Sequence, residues 1–195
     1  RRRLRQHRMH SSQKALFPGG RTVKLSALVV TALLVCPSMA GAQEVYDAQI
    51  AAIVVAANQV DVDAGKLAAS RATSPEVKKF AETMITDHQG VNKSAVDLAT
   101  KLKVTPQEND TSRALKAGGE KNLASLKKLN GAAFDKAYID QEVAYHAQVL
   151  EAIDKTLIPS AKNAELKALL VKVRPAFVAH LEHAKQIQST LKKGN

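Results

Sequence analysis

After residue 36 this 195-residue chain contains no cysteine, its single thiol being Cys36. The bulk of the chain therefore has neither a disulfide staple nor a thiol nucleophile. No long hydrophobic run is present either. The most apolar stretch, Leu25 to Val35, is 11 residues long, well short of the ~20 that a membrane-spanning helix requires. Enzyme signatures are equally scarce: there is no Gly-x-Ser-x-Gly, no glycine loop of the kind that cradles phosphate and no His-Glu-x-x-His. Hydrolase and nucleotide-binding readings thus have no positive support. Nor does any stretch alternate at period two for long enough to indicate a sheet.

Acidic residues are missing from the first 42 positions, which carry eight Lys or Arg. That basic region, the short apolar run and the small residues Ala40 and Ala42 have the layout of a secretory signal, with cleavage expected before Gln43. Met9 precedes this region, so residues 1–8 read as an over-extended start. A second reading of the segment makes Cys36 a lipidation site, against which Val35 is bulkier than such a site favours. The formal charge is 29 − 18 = +11 for the whole chain, and removing the eight leader cations leaves 21 − 18 = +3 for residues 43–195. A nucleic-acid partner, which calls for a basic stripe on the folded domain, is not expected. The expected organisation is a leader, 1–42, followed by one domain, 43–195. The expected location is the periplasm, with no membrane anchor after cleavage.

Within that domain apolar positions recur at helical spacing, which predicts an all-α fold. The first helix is expected over 47–71 with Ile50, Ile53, Ala57, Val60, Ala64 and Leu67 on one stripe. Ser74-Pro75-Glu76 is a helix start, with a capping hydroxyl, a proline at the first helical position and an acid near the positive dipole end. The second helix should run from there toward Pro106. A weaker piece over 113–129 is expected to break at Gly118-Gly119. Two further helices are predicted over 132–158 and 163–191, with Pro175 expected to kink the last or to free a carbonyl at about Val171. Short links make each long pair an antiparallel hairpin. The roughly 30 residues between the pairs allow the short piece to travel back along the bundle. The result is a ferritin-like four-helix bundle, two antiparallel hairpins joined by a long crossover with a short extra helix.

Three histidines, His88, His146 and His180, fall one each on the apolar stripes of the last three long helices. A polar group in such a position must find a partner. Asp61, Asp87 and Glu142 lie close by in the pattern, and His183 follows His180 by one turn. Imidazoles and carboxylates converging from facing helices are how bundles hold transition-metal ions, so the candidate ligands are His88, His146, His180, Glu142 and Asp61. Counting rise per residue places His88 and His146 in one layer. Reflecting the last helix about Ser160 puts His180 about 9 Å from His146, which favours the pairs His88 with His146 and His180 with Glu142. Core histidines hydrogen-bonded to an acid or to Tyr138 or Tyr145, and a pH-sensitive layer, are the alternatives. The two Glu-x-x-His repeats of a di-iron ferritin site are absent, which argues against a ferroxidase.

Three segments carry a family resemblance: Met84-Ile-Thr-Asp-His88-Gln-Gly-Val-Asn92, Phe134-Asp-Lys-Ala-Tyr138 with Gln141-Glu-Val143 and His146, and Pro175-Ala-Phe-Val-Ala-His180-Leu. In them the chain, over about 45–191, resembles a bacterial family of exported ferritin-like domains of unknown function, DUF4142, whose members are often labelled outer membrane proteins. The resemblance implies a ferritin-like fold and an envelope location. It maps the family's recurring histidines onto His88, His146 and His180 and its acidic position in the first helix onto Asp61 or Asp63, where relatives tend to carry glutamate. It implies no reaction. The expected function is a non-enzymatic periplasmic bundle that binds a metal ion or small ligand through its His/acid layer in an envelope stress response. The alternatives are a helical interaction module with an envelope partner or self-association, supported by Lys-rich outer faces, and a degenerate di-iron oxidoreductase.

Overall fold

The computed structural model describes residues 46–193. The expected leader, its cleavage point after Ala42 and Cys36 lie outside the described residues. All regular structure among the described residues is helical: α1 (Asp47–Arg71), α2 (Pro75–Lys101), α3 (Asp110–Leu126), α4 (Gly131–Ala152), a π-helical turn (Ile153–Leu157), the single turn α5 (Ile158–Ser160) and α6 (Ala164–Lys193).

Local chemistry sets most of these boundaries. Ser74 caps α2, its Oγ accepting from the Val77 N–H at 3.4 Å, with Pro75 in the first turn. The predicted break at Gly118-Gly119 does not occur, and α3 begins three residues earlier than expected. Asn109 explains the start: its Oδ1 accepts from the Ser112 N–H at 2.9 Å while Ser112 Oγ accepts from the Asn109 N–H at 2.9 Å, a reciprocal cap that satisfies two otherwise orphaned donors. Gly119 keeps its place for a packing reason. A β-carbon there would lie 2.7 Å from Val60 Cγ2, so α3 sits on α1 more closely than any other residue permits.

Helix α4 passes into a π turn, in which Ile158 N–H donates to the Ile153 carbonyl, five residues back. Pro159 follows directly; it lacks an N–H and its ring crowds the carbonyl four residues earlier, and widening the turn accommodates both. Pro175 instead lies within α6, which continues through it. Pro175 and Val171 both face solvent, so water can take the carbonyl that Pro175 leaves without a donor.

Contacts at the helix ends fix the directions. Arg71, at the end of α1, donates to the Leu129 carbonyl at 2.8 Å and to Asn130 Oδ1 at 2.7 Å. Asp135, near the start of α4, accepts from the N–H of Thr73 and of Ser74 at 3.0 and 2.7 Å. Helices α2 and α4 therefore start side by side and run parallel. At the far end Asp47 accepts from the Lys162 and Asn163 N–H groups, both at 2.9 Å, so α1 starts beside the turn that precedes α6. The crossover α3 returns along α1. Helix α1 packs on α2 and α3, α4 on α6, and α2 on α6.

Two apolar clusters fill the interior. One contains Phe80, Met84, Phe134, Tyr138, Ile139 and Ile187, and the other Ile50, Ile53, Leu150, Leu170 and Phe177. Along every long helix the residues between these clusters are polar and buried: Asn58 and Asp61 on α1, His88 on α2, Glu142 and His146 on α4, and His180 on α6.

Candidate metal centre

Each of the three imidazoles is anchored through one nitrogen. Asn58 Nδ2 donates to the Val54 carbonyl at 2.7 Å, which turns its Oδ1 toward His88; His88 Nδ1 donates to that oxygen at 2.7 Å. His146 Nδ1 donates to the Glu142 carbonyl at 3.1 Å. His180 Nε2 donates to Asp87 Oδ2 at 2.8 Å. These bonds place the protons on His88 Nδ1, His146 Nδ1 and His180 Nε2. The opposite nitrogens, His88 Nε2, His146 Nε2 and His180 Nδ1, are buried and have no hydrogen-bond partner among the described residues. Metal-binding histidines are held in just this way, one nitrogen donating to an outer partner that fixes the ring and the tautomer.

The rings converge. Their centroids are 5.5 Å apart for His88 and His146, 5.3 Å for His88 and His180, and 5.5 Å for His146 and His180. One nitrogen from each histidine lies within 4.8 Å of the others. Asp61, Glu142 and His146 form a second group under the same limit, so His146 belongs to both. The contact between His88 Nε2 and Asp61 Oδ2, 3.4 Å, matches the separation of about 3.4 Å between two ligands that are each ~2.1 Å from one tetrahedral ion. Phe177 closes one side, its ring centroid 5.0 Å from that of His88, and the Tyr145 hydroxyl donates to the Ala57 carbonyl at 3.0 Å.

The electrostatics follow from burial. Desolvation, reinforced by the neighbouring His146 and His180, lowers the His88 pKa to about 2. His180 is lowered by burial too, with Asp87 opposing. Burial, then the charge and hydrogen bonding of Glu142, holds Asp61 well above the usual carboxylate range. Burial and the same two acids push the Tyr138 hydroxyl up. The layer thus resists positive charge on His88 and negative charge on Asp61. Five of its buried atoms, the three imidazole nitrogens with Asp61 Oδ2 and Glu142 Oε2, lack hydrogen-bond partners. Imidazole nitrogen and carboxylate oxygen are the donors that first-row transition metals take, and the two groups that share His146 offer both kinds.

The residues that carry the sequence resemblance form this layer: His88 lies in the first segment, Glu142 and His146 in the second, His180 in the third. The profile of a family described as Domain of unknown function (DUF4142) matches residues 35–187. The chain belongs to this family. No curated protein and no solved structure matches it.

In this DUF4142 protein all five predicted ligands meet in one layer, but their grouping departs from the prediction. His180 joins His88 and His146, and Glu142 sits with Asp61. The error lay in the mirror point. The link between α5 and α6 is centred near residue 162 rather than 160, and reflection about 162 sets His180 level with residue 144, about 3 Å along the axis from His146. Asp87 serves His180 rather than the adjacent His88. His183 stands apart, its ring against Phe80 at 5.3 Å. Sequence reasoning missed Asn58, the partner of His88; its spacing of three from Asp61 puts both on one face of α1.

Proposed function

We propose that this DUF4142 protein is a metal-binding ferritin-like four-helix bundle of the bacterial periplasm, holding one first-row divalent ion with His88, His146 and His180 and with carboxylate from Asp61 or Glu142. The ferritin-like reading is supported by two antiparallel hairpins, α1 with α2 and α4 with α6, joined by a crossover that runs the length of α1. Periplasmic export is supported by the acid-free basic leader, its short apolar run and the small residues at Ala40 and Ala42. Among the described residues no helix is long and apolar enough to cross a membrane. Export predicts that protein recovered from the periplasm begins at Gln43; a form retaining residues 1–42 would contradict it.

One observation carries the metal reading: three buried imidazoles, each fixed through one nitrogen, turn unpartnered nitrogens into a common layer. A structural core of satisfied histidines would leave no such atoms. Elemental analysis of tag-free protein tests the reading, with about one equivalent of metal expected in the wild type and a substoichiometric amount in His88→Gln. Absence of stoichiometric metal, together with no thermal shift on adding zinc, copper, iron or manganese, would sink it.

A further inference from the structure

Beside the His/acid layer lies a cavity of about 220 Å³, walled by α1, α2, α3, α4, the π turn and α6. Its walls are aliphatic, with Ile53, Leu115, Leu157 and Leu170 among them, and Phe177 and Asn58 form its inner surface. These last two also touch His88, Phe177 through its ring and Asn58 through the hydrogen bond to Nδ1. The exposed lining residues Thr111 and Gln148 mark the mouth, between α3 and α4.

Interiors are close-packed, and voids much larger than a water molecule are few. The cavity lies within the second apolar cluster, whose Ile53, Ile153, Leu157, Leu170 and Phe177 line it, while Ile50 and Leu170 of the same cluster are fully buried. Two features of the chain keep it open. The π turn contributes Ile153 and Leu157 to the wall, and such turns recur where a helix is reshaped around a ligand. Ala152 at the end of α4 and Ala57 on α1 also line it, small residues where a larger one would fill the space. An apolar cavity of ~150 Å³ stays dry and takes up a benzene-sized molecule. With no charged side chain in the lining, a charged guest would lose its hydration without compensation.

We infer that this cavity is a binding site for a small, uncharged, apolar molecule of one or two rings, seated against Phe177 and Asn58 immediately beside the imidazole layer. It is formed by packing alone, so it stands whether or not the layer holds a metal. The probe is 1-naphthol, titrated by calorimetry into metal-free and metal-loaded protein, with 1-naphthoate as its charged counterpart. One equivalent of 1-naphthol is expected to bind both forms, and 1-naphthoate at least tenfold more weakly. Ala152→Phe, which fills the cavity from α4, should weaken 1-naphthol at least tenfold while leaving metal content and melting temperature no lower than in the wild type. Leu115→Trp, from α3, does the same should Ala152→Phe fold poorly. Absence of saturable binding to the folded wild type, undiminished binding to a folded filled variant, or equal affinity for the naphthoate would overturn the assignment.

Discussion

At the scale of single residues, the polar layer works because each imidazole has one committed nitrogen. Asn58 is the test of that idea, since it touches His88 without being a candidate ligand. Asn58→Leu keeps similar volume and removes the acceptor, freeing the ring to rotate and to change tautomer. Loss of such an outer partner typically weakens metal binding 10–100-fold, and that drop is expected in competition with a chromophoric chelator, with the helical signal retained. The same residues set a pH dependence in the metal-free protein. The folded pKa of His88, about 2, lies below its unfolded value of 6.5. Between those values the unfolded chain holds a proton that the folded chain refuses. Stability from this group is complete above pH 6.5 and falls as the solution is acidified, by roughly 1 kcal/mol per pH unit. Asp61 works in the opposite sense: its folded pKa is raised above 3.8, so its contribution is present below 3.8 and lost as pH rises through the folded value. Between pH 7.5 and 5 the urea midpoint of the wild type should fall relative to that of His88→Gln. The same pH dependence in both proteins would show that His88 does not contribute.

At the scale of helices, paired glycines on α3 give a sharp contrast. Nothing lies within 4 Å of a β-carbon added to Gly118, whereas one added to Gly119 meets Val60 at 2.7 Å. Gly118→Ala should therefore raise stability by about 0.5–1 kcal/mol through helix propensity. Gly119→Ala should lower it, because Val60 is branched at Cβ and cannot swing away cheaply, and Val60→Ala should restore much of the loss. Thermal or urea unfolding of the four proteins checks this. These glycines also show where sequence reasoning stops. Helix propensity alone makes Gly118-Gly119 a break, and only the approach of α1 reveals that the second glycine serves packing. The beginning of α2 was legible because caps and dipole effects act within one turn, as at Ser74-Pro75-Glu76, and that of α1 from its apolar stripe. The start of α3 carried the same kind of signal, Asn109 with Ser112, and was legible in principle. The stripe positions of His88, His146 and His180 were legible too, since helical period fixes the face. Their depth was not: it depends on a turn whose centre near residue 162 is set by Pro159, the π turn and the Asp47 contacts to Lys162 and Asn163.

At the scale of the whole molecule, α1, α2, α4 and α6 each bring part of the layer, so binding an ion there ties both hairpins together. Asp135, joining the start of α4 to Thr73 and Ser74, is the corresponding tie at one end. Because the ligands converge only in the folded chain, metal that binds the folded form stabilises it by mass action, about 4 kcal/mol at a thousandfold excess over Kd. Loading should raise the melting temperature of the wild type and leave His88→Gln little changed. The unshared part of that gain belongs to the whole bundle, since no single hairpin contains the three histidines. The most direct measurement is an anomalous difference map from a crystal of the tag-free protein grown with cobalt or zinc. A single strong peak within about 2.0–2.2 Å of nitrogens from His88, His146 and His180, with carboxylate from Asp61 or Glu142 completing the shell, is the predicted result. Clear density for the three imidazoles with no peak between them would contradict the account.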